Sequence, residues 1–319
     1  MAGGQERILR RRIKTVESTK KITKAMELIA ASRIVKAQQR VAAARPYSEK
    51  ITEVLHNLAA GGAGGDHPLL KHRDDISTVA YVVVTADRGL AGGYNNNVIR
   101  ATERAMRSDR DRGREVKLYV VGKKANNYFR FRRMPIEASF LGVTDQPTYE
   151  QAREIAAAVA EAFNDATVDA VHVVYTQFLS AGTQRVVQRQ LMPLEREEAD
   201  ETPEGEGASS SYEFEPGPDV ILSRLLPRYA EARLFASLLD ASASEHAARQ
   251  RAMKAATDNA DELIKTLARV MNRARQDAIT TEIMEIVGGA EALRQSSSGH
   301  EDLLIDHMTP TDLLGIQSA

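Results

Sequence analysis

Two stretches of this chain carry almost nothing that interrupts a helix. From Gln5 to Ala60 there is no glycine and one proline, Pro46; from Asp219 to Val287 there is again no glycine and one proline, Pro227. Both are rich in Ala, Leu, Lys, Arg, Glu and Gln, the strong helix formers. Each predicts one very long helix. At about 1.5 Å per residue, ~55 to 60 residues make a rod of roughly 85–90 Å. Helices inside globular domains usually run about 8 to 20 residues. Two rods of matching length at opposite ends of one chain predict an antiparallel coiled coil, with the middle of the chain as its head. Two separate amphipathic helices in a bundle are the alternative, and the length argues against it.

Apolar spacing supports pairing. Leu9, Ile13 and Val16 step by four and three, as do Ile22, Met26 and Ile29. Ile34, Ala37, Val41, Ala44, Ser48, Ile51, Leu55 and Leu58 hold the same alternation. This is a coiled-coil seam, with phase breaks expected near Lys20 and Arg33. In the second rod Leu263, Leu267, Val270 and Ala274 repeat the step, and Ile279, Ile283 and Ile286 follow after a shift. The seam is rich in alanine, so the helices can pack closely.

The middle reads differently. After a glycine and proline stop at 61–68, the run TVAYVVVT (78–85) predicts a buried strand. A loop, ADRGLAGGYNNN, leads to a helix from Val98 to about Asp109. Further strands are expected at Val116–Val121, Pro135–Leu141, Val171–Thr176 and, at an edge because of Pro193, Val186–Leu194. Helices are expected at Lys123–Arg133 and Thr148–Asp165. Alternating strands and helices predict a mostly parallel, Rossmann-like α/β sheet. Residues 195–218, acidic and poor in apolar side chains, predict a disordered connector. The expected organisation is a coiled-coil helix (1–60), an α/β head (61–194), an acidic linker (195–218), a second coiled-coil helix (219–293) and a flexible tail (294–319).

Composition narrows function. A net charge of −1 makes bulk binding to nucleic acid an unpromising reading. The absence of cysteine excludes disulfides and thiol catalysis. No run of 18 apolar residues is present, so no membrane span is expected. The basic N-terminus lacks the apolar core of a secretory signal, which leaves the cytoplasm as the default compartment. The first rod is strongly basic, a pattern that fits nucleic acid, anionic lipid, an acidic protein partner, or a solvated coiled-coil flank.

The head offers no catalytic set. Gly89-Leu90-Ala91-Gly92-Gly93 follows the first strand, where dinucleotide folds approach a pyrophosphate, but its spacing is not G-x-G-x-x-G. Gly122-Lys123 resembles the end of a phosphate loop, yet Lys117 stands where its earlier glycine belongs and Lys124 where Ser or Thr is needed. The histidines are scattered without metal-ligand spacing. Asp87-Arg88 could be a catalytic carboxylate with its orienter, although such a pair more often pins the loop. No cofactor and no metal are expected, and the head reads as a non-catalytic module on a shaft.

Several of these residues also carry a resemblance. KKITKAMELIAASRIVKAQ (20–38) resembles the N-terminal helix of the ATP synthase gamma subunit family. TADRGLAGGYNNNV (85–98) resembles that family's S-D-R-G-L-C-G loop, with Ala91 in place of the usual cysteine. RAMKAATDNADELI (251–264) and NRARQDAITTEIMEIVGGAEAL (272–293) are similar to its C-terminal signature, through Ile279, Thr280, Glu282, Glu285, Gly289 and Ala290. The resemblance runs from about Gln5 to Leu293.

It implies the following. The coiled coil is the rotary shaft inside a ring of alternating alpha and beta subunits of a bacterial-type F1Fo ATP synthase. The head rests on the c ring beside the epsilon subunit. Proton flow turns the c ring and the shaft, and the beta sites make ATP. The chain is then a non-catalytic subunit, peripheral to the cell membrane on its cytoplasmic side. Lys21, Lys24, Met26 and Arg33 match the region facing an acidic helix–turn–helix of beta. Arg249, Arg275, Gln276, Thr280 and Glu282 match positions that contact the beta catch loops. Asp87, Arg88, Gly89 and Gly92 form the head loop. The rival reading is a coiled-coil scaffold whose α/β head binds an unrelated partner. A stand-alone nucleotide-binding enzyme fails on the missing loops. The chain departs from the family pattern in its acidic linker and in Arg294–Ala319, where a frayed tail or a short docking segment are both open.

Overall fold

A computed structural model describes residues 2–60, 67–70, 73, 75–194, 215 and 217–305. The elements follow the chain as helix α1 (Ala2–Ala60), strand β1 (Thr78–Val84), α2 (Tyr94–Asp111), β2 (Glu115–Val121), α3 (Lys123–Phe131), β3 (Ala138–Phe140), α4 (Tyr149–Asn164), β4 (Ala170–Phe178), β5 (Gln184–Met192) and α5 (Pro218–Ile305). A single 3-10 turn spans Pro68–Leu70. The chain divides into two compact units, residues 23–256 and residues 1–22 with 257–319.

In the larger unit the five strands lie in the order β3-β2-β1-β4-β5. β1 pairs in parallel with β2 and β4, β2 in parallel with β3, and β5 runs antiparallel on β4. From Val79 to Val84 no residue of β1 is more than 1% exposed. A strand covered on both faces reads as a continuous apolar run, which is why TVAYVVV shows no alternation. The pleat still sorts the side chains. Ala80, Val82 and Val84 join α4 (Ala152, Ile155, Val159, Phe163) and residues of α1 and α5. Val79, Tyr81 and Val83 face α2 and α3 through Val98, Met106 and Phe129. Each fully buried Val or Phe contributes roughly 1.5–3 kcal/mol, so the head is held mainly by this double-sided layer.

Polar groups fix where its elements start. The Asp169 carboxylate accepts from Ser77 N–H (2.9 Å), Ser77 Oγ (2.8 Å) and Thr78 N–H (2.9 Å), and pairs with Arg73 at 2.6 Å. Burial alone would raise its pKa; Arg73 and these donors outweigh burial and hold it well below the usual carboxylate range. Thr148 and Gln151 form a reciprocal capping box that starts α4. Gly122 (φ 94°) sits so close to β1 that an added Cβ would lie 2.0 Å from the Thr85 carbonyl oxygen. That close approach, rather than a phosphate loop, accounts for this glycine.

The helical seam follows the expected one at Leu9, Ile13 and Val16, from Ile34 to Leu58, and on α5 at Leu267 and Ala274, and corrects it elsewhere. A continuous stripe of burial on α1 follows Leu9, Ile13, Val16, Lys20, Thr23, Glu27, Ala30, Ile34, Ala37, Val41, Ala44, Ser48, Ile51, Leu55 and Leu58, with Glu6, Met26, Ala31, Arg33 and Thr52 half-buried beside it. The alternation of four and three never shifts, so the phase breaks near Lys20 and Arg33 do not occur. Polar Lys20, Thr23 and Glu27 hold the seam positions instead, and Ile22 and Ile29 are exposed. On α5 the seam is Met253, Thr257, Ala260, Ile264, Leu267, Met271, Ala274 and Ala278. Leu263, Val270, Ile279, Ile283 and Ile286 lie off it and are exposed. An apolar 3-4 pattern on the wrong register imitates a seam when the true one contains polar residues.

In the smaller unit Lys20 pairs with Asp261. Burial on α5 ends at Ala278, about as far beyond Asp261 as α1 extends before Lys20. That symmetry is the mark of an antiparallel pair. From Ile279 to Gln295 every described side chain of α5 is exposed.

Several boundaries differ from expectation. α2 begins at Tyr94, so Tyr94, Asn95 and Asn96 are its first turn rather than loop. α5 runs through Gly288 and Gly289 to Ile305, past the expected end at Leu293. β5 is an edge strand as expected, with Pro193 directly after it. The acidic linker at 195–214, the stop at 61–66 and the tail at 306–319 lie outside the described residues.

Candidate functional site

The strand order reverses at β1, with β2 on one side and β4 on the other. In open α/β sheets the crevice beyond the strand ends at this switch point is where nucleotides bind. Here α5 enters it. Tyr94 Oη donates to the Ala241 carbonyl at 3.1 Å, and Ser244 Oγ donates to the Thr176 carbonyl at 3.0 Å. Residues 241–247 of α5 are all buried, mostly as Ala and Ser, whose small side chains let the helix lie against the loop.

The head loop is pinned from below. Asp87 Oδ1 accepts from the N–H groups of Lys123 (3.1 Å) and Gly142 (3.0 Å), and Oδ2 from Thr144 N–H (3.3 Å) and Oγ1 (3.1 Å). Asp87 is therefore a loop pin, and the Thr144 hydroxyl that donates to it also accepts from the Asp87 N–H at 3.0 Å. Arg88 is exposed, and Leu90 is held at φ 61° with its side chain in solvent. Gly89 offers its carbonyl to Arg249 Nε (3.4 Å) and Nη2 (3.3 Å). Gly92, at φ 56°, faces Ala252.

Arg249 thus has a different place from the one expected. Only 7% exposed, it is directed inward, with Nη2 donating to Glu245 Oε1 at 2.6 Å and Nη1 to His246 Nδ1 at 3.4 Å. His246 Nε2 donates in turn to the Asp145 carbonyl at 3.4 Å, while the Asp145 carboxylate pairs with Arg33 of α1. The two His246 contacts require a neutral imidazole. Burial, helped by the neighbouring Arg249 charge, holds its pKa down to about 4. Burial likewise pushes the Glu245 carboxyl up, against the pull of Arg249; its Oε2 has no hydrogen-bond partner among the described residues. These side chains form a buried clasp that ties α1, the head loop and α5 within the larger unit. Sequence reasoning missed it. Its signal was the Glu245–Arg249 pair at i, i+4 inside an otherwise small and apolar run.

The remaining expected residues are placed as follows. Lys21 and Lys24 are exposed on α1, with Lys24 bridged to Glu27 at 3.1 Å, and Met26 is half-buried. Arg275, Gln276, Thr280 and Glu282 are exposed on α5. Beside them stand Ile279, Ile283, Met284, Ile286, Val287 and Leu293, each at least half exposed. Such a run of large apolar side chains in water is unusual and marks a surface that meets another molecule. Among the described residues no helix is long and apolar enough to cross a membrane, and no group of three His, Asp or Glu could hold a metal.

A mostly parallel five-stranded sheet followed by a long helix that lies in its switch-point crevice defines the fold class. The rotor of the Euglena gracilis mitochondrial ATP synthase has this fold, with a TM-score of 0.60 at 18% identity over 87% of this chain and 99% of that one. Residues 5–293 match the family described as ATP synthase. The ATP synthase gamma chain of Parafrankia sp. (strain EAN1pec) is 53% identical over 294 residues, 91% of this chain and 98% of that relative. That of Acidothermus cellulolyticus is 52% identical over 300 residues, 93% and 99% of the two chains. The chain belongs to the ATP synthase gamma chain family.

Proposed function

We infer that this chain is the central rotor shaft of an F1Fo ATP synthase, coupling proton-driven rotation of a c ring to ATP synthesis at beta subunits. One observation carries the reading beyond family membership. The α5 segment from Ile279 to Gln295 is exposed on every side and studded with large apolar residues. A wide stripe of large apolar side chains left in water fits a surface that meets another molecule, so this segment is assigned to a collar supplied by other chains. Arg275, Gln276, Thr280 and Glu282 share that surface and are assigned to contacts with beta. Lys21, Lys24 and Met26 form a second contact, where exposed charges steer an acidic partner more than they hold it. Arg249 acts indirectly, by fixing the head loop to α5. The head, with Arg88 and Leu90 projecting, rests on the c ring beside an epsilon subunit. The chain carries no nucleotide chemistry of its own; the catalytic groups are on beta. It lies peripheral to the cell membrane on the cytoplasmic side.

The physical requirement is a rod that biases distant sites by turning as one piece. Long helices free of interior glycine through the paired region meet it. The test is reconstitution of the purified chain with alpha and beta subunits. A defined complex holding one copy of the chain, with ATP hydrolysis that depends on it, is expected. Failure to join the ring, or hydrolysis by the isolated chain, would overturn the reading.

A further inference from the structure

We propose that the acidic segment at 195–214 docks on a basic face of its own head, formed where α2 and α3 end. The segment lies outside the described residues. Its composition, its two attachment points and the surface beside them carry the inference, which goes beyond the shaft role and does not depend on it.

Topology brings the two together. α2 carries the chain from the end of β1 back to the start of β2, and α3 from the end of β2 back to the start of β3. These strands are parallel, so both helices end at the edge of the sheet where the parallel strands start. β5 runs the other way and ends at that same edge, with Met192 opposite Val171. Glu115 on β2 and Met192 on β5 are three strands apart, roughly 14 Å at about 4.8 Å per strand. The segment leaves from Leu194 and the chain returns at α5, whose Leu222 shares a core cluster with Leu194. Residues 195–214 can span up to about 66 Å when extended, so the middle of the segment reaches this edge from both attachment points.

Charge makes the match. Arg107, Arg110, Arg112, Arg130, Arg132 and Arg133 are all exposed, and none forms an ion pair among the described residues. Basic residues at a helix C-terminus offset its dipole, but that end carries only about half a charge. The dipoles therefore account for one arginine at each helix and not for six. Asp109 is buried and already taken by Arg114 and Tyr81. The exposed carboxylates nearby, Asp111, Glu115 and Glu137, leave the face with an excess of positive charge. The segment carries eight carboxylates against one arginine, Arg196, and no lysine. Exposed pairs are individually weak, which is why the tether matters. A tethered segment meets the face at an effective concentration on the order of millimolar, ahead of an acidic partner or an anionic lipid in dilute solution.

The chain has no cysteine, so a nitroxide on Ser209→Cys is a unique label in the full chain. At low salt it should broaden the 15N amide signals of Gly113, Phe131, Arg132 and Arg133, and leave those of Gly89 and Gly92 at the opposite edge sharp. Molar chloride, which cuts the screening length to about 3 Å, should remove the broadening. Neutralising the segment with Glu197→Gln, Glu198→Gln, Asp200→Asn and Glu201→Gln should do the same. So should reversing the face with Arg112→Glu, Arg130→Glu and Arg132→Glu, three exposed positions whose change should leave the denaturation midpoint in place. A mixture of nitroxide-labelled chain and unlabelled 15N chain separates the sources. Broadening there as strong as in the labelled chain itself would assign the face to a second copy and overturn the proposal. Vesicles containing phosphatidylglycerol should bind the neutralised variant more tightly than the wild type. Equal binding would mean that the face stands open to a lipid surface in the wild type, which also overturns it. Broadening that is absent at low salt, or that survives in either variant, counts against it in the same way.

Discussion

Helix α5 contains two regions of contrasting fate. Between Tyr229 and Gln250 no residue is exposed; between Ile279 and Gln295 every residue is. Both are helical and both mix alanine with larger apolar and charged side chains. In the first, the sheet, α4, α1 and the head loop close around the helix, and its polar residues are paired into a clasp. In the second no other described element of the smaller unit covers the helix, and its apolar residues stand in water. Burial is thus a property of the surroundings and not of the segment. The buried region should respond to mutation through stability, and the exposed region through assembly.

The largest expected effect lies beneath the buried region. Gly122→Ala drives a Cβ to 2.0 Å from the Thr85 carbonyl at a backbone angle that disfavours side chains. A loss above ~4 kcal/mol is expected, read as disappearance of the head's unfolding transition in chemical denaturation. A normal transition would show that β1 and α3 can separate without cost and would weaken the contrast.

Next comes the clasp. Arg249→Ala leaves Glu245 buried and uncompensated, for an expected loss of ~3–5 kcal/mol. Adding Glu245→Gln should restore a large part of it, because the remaining group is neutral. If the double variant is no better than the single one, the pair does not act as a unit.

The clasp should also shape the acid response. Neutral His246 has its pKa held to about 4, below its ordinary value of 6.5. Its contribution is complete above pH 6.5 and is lost as pH falls toward 4, up to ~3 kcal/mol. Burial raises Asp240, to about 6, which works the opposite way: its stabilising share is present at low pH and is lost as pH rises from 3.8 to 6. Denaturation midpoints of the wild type should therefore vary little between pH 4 and 6.5. His246→Gln, which keeps a donor for the Asp145 carbonyl, should become more stable as pH falls through that window. Parallel profiles for the two proteins would count against the assignment.

The exposed region gives the smallest effects. An added Cβ at Gly289 meets nothing within 4 Å, so Gly289→Ala should raise helix content and stability by at most ~1 kcal/mol. Ile286→Ser should change unfolding by less than ~0.5 kcal/mol. The same substitution should weaken joining to an alpha–beta ring in a pull-down. A large loss of stability in the isolated chain would mean that this surface is covered from within.

Much of the architecture could be read from residues alone. β1 and β4 were legible as apolar runs, α4 from its apolar face and the Thr148–Gln151 pattern, and the two rods from their length. The seam was legible on α1 from Leu9 to Val16 and from Ile34 to Leu58, and on α5 at Leu267 and Ala274. It was misplaced at Ile22, Ile29, Leu263, Val270 and from Ile279 to Ile286. Ile22 and Ile29 satisfy a 3-4 spacing as well as Thr23 and Ala30 do, and spacing cannot tell which stripe finds a partner. The start of α2 was missed because Tyr94, Asn95 and Asn96 have weak helix propensity and are held by tertiary contacts such as Asn95 Oδ1 to the Ala86 N–H at 2.8 Å. Arg249 matched a contacting position in sequence, yet its side chain turns inward. Direction of a side chain from a helix depends on what is packed beside it.

What the sequence by itself determined is local: helix where glycine and proline are absent, strand where β-branched residues run together, family where three motifs stand in order. Propensity and periodicity act over a few residues, so they are written in the chain. Only the tertiary structure decided which stripe of α1 is buried, that α5 lies in the crevice beyond β1, and that Glu245, His246, Arg249 and Asp145 meet. Those outcomes join residues about a hundred or more positions apart, from Arg33 to Asp145 and from Gly89 to Arg249. Low-dielectric surroundings that set the charge of His246 and Glu245 exist only once the sheet and helices have closed around them.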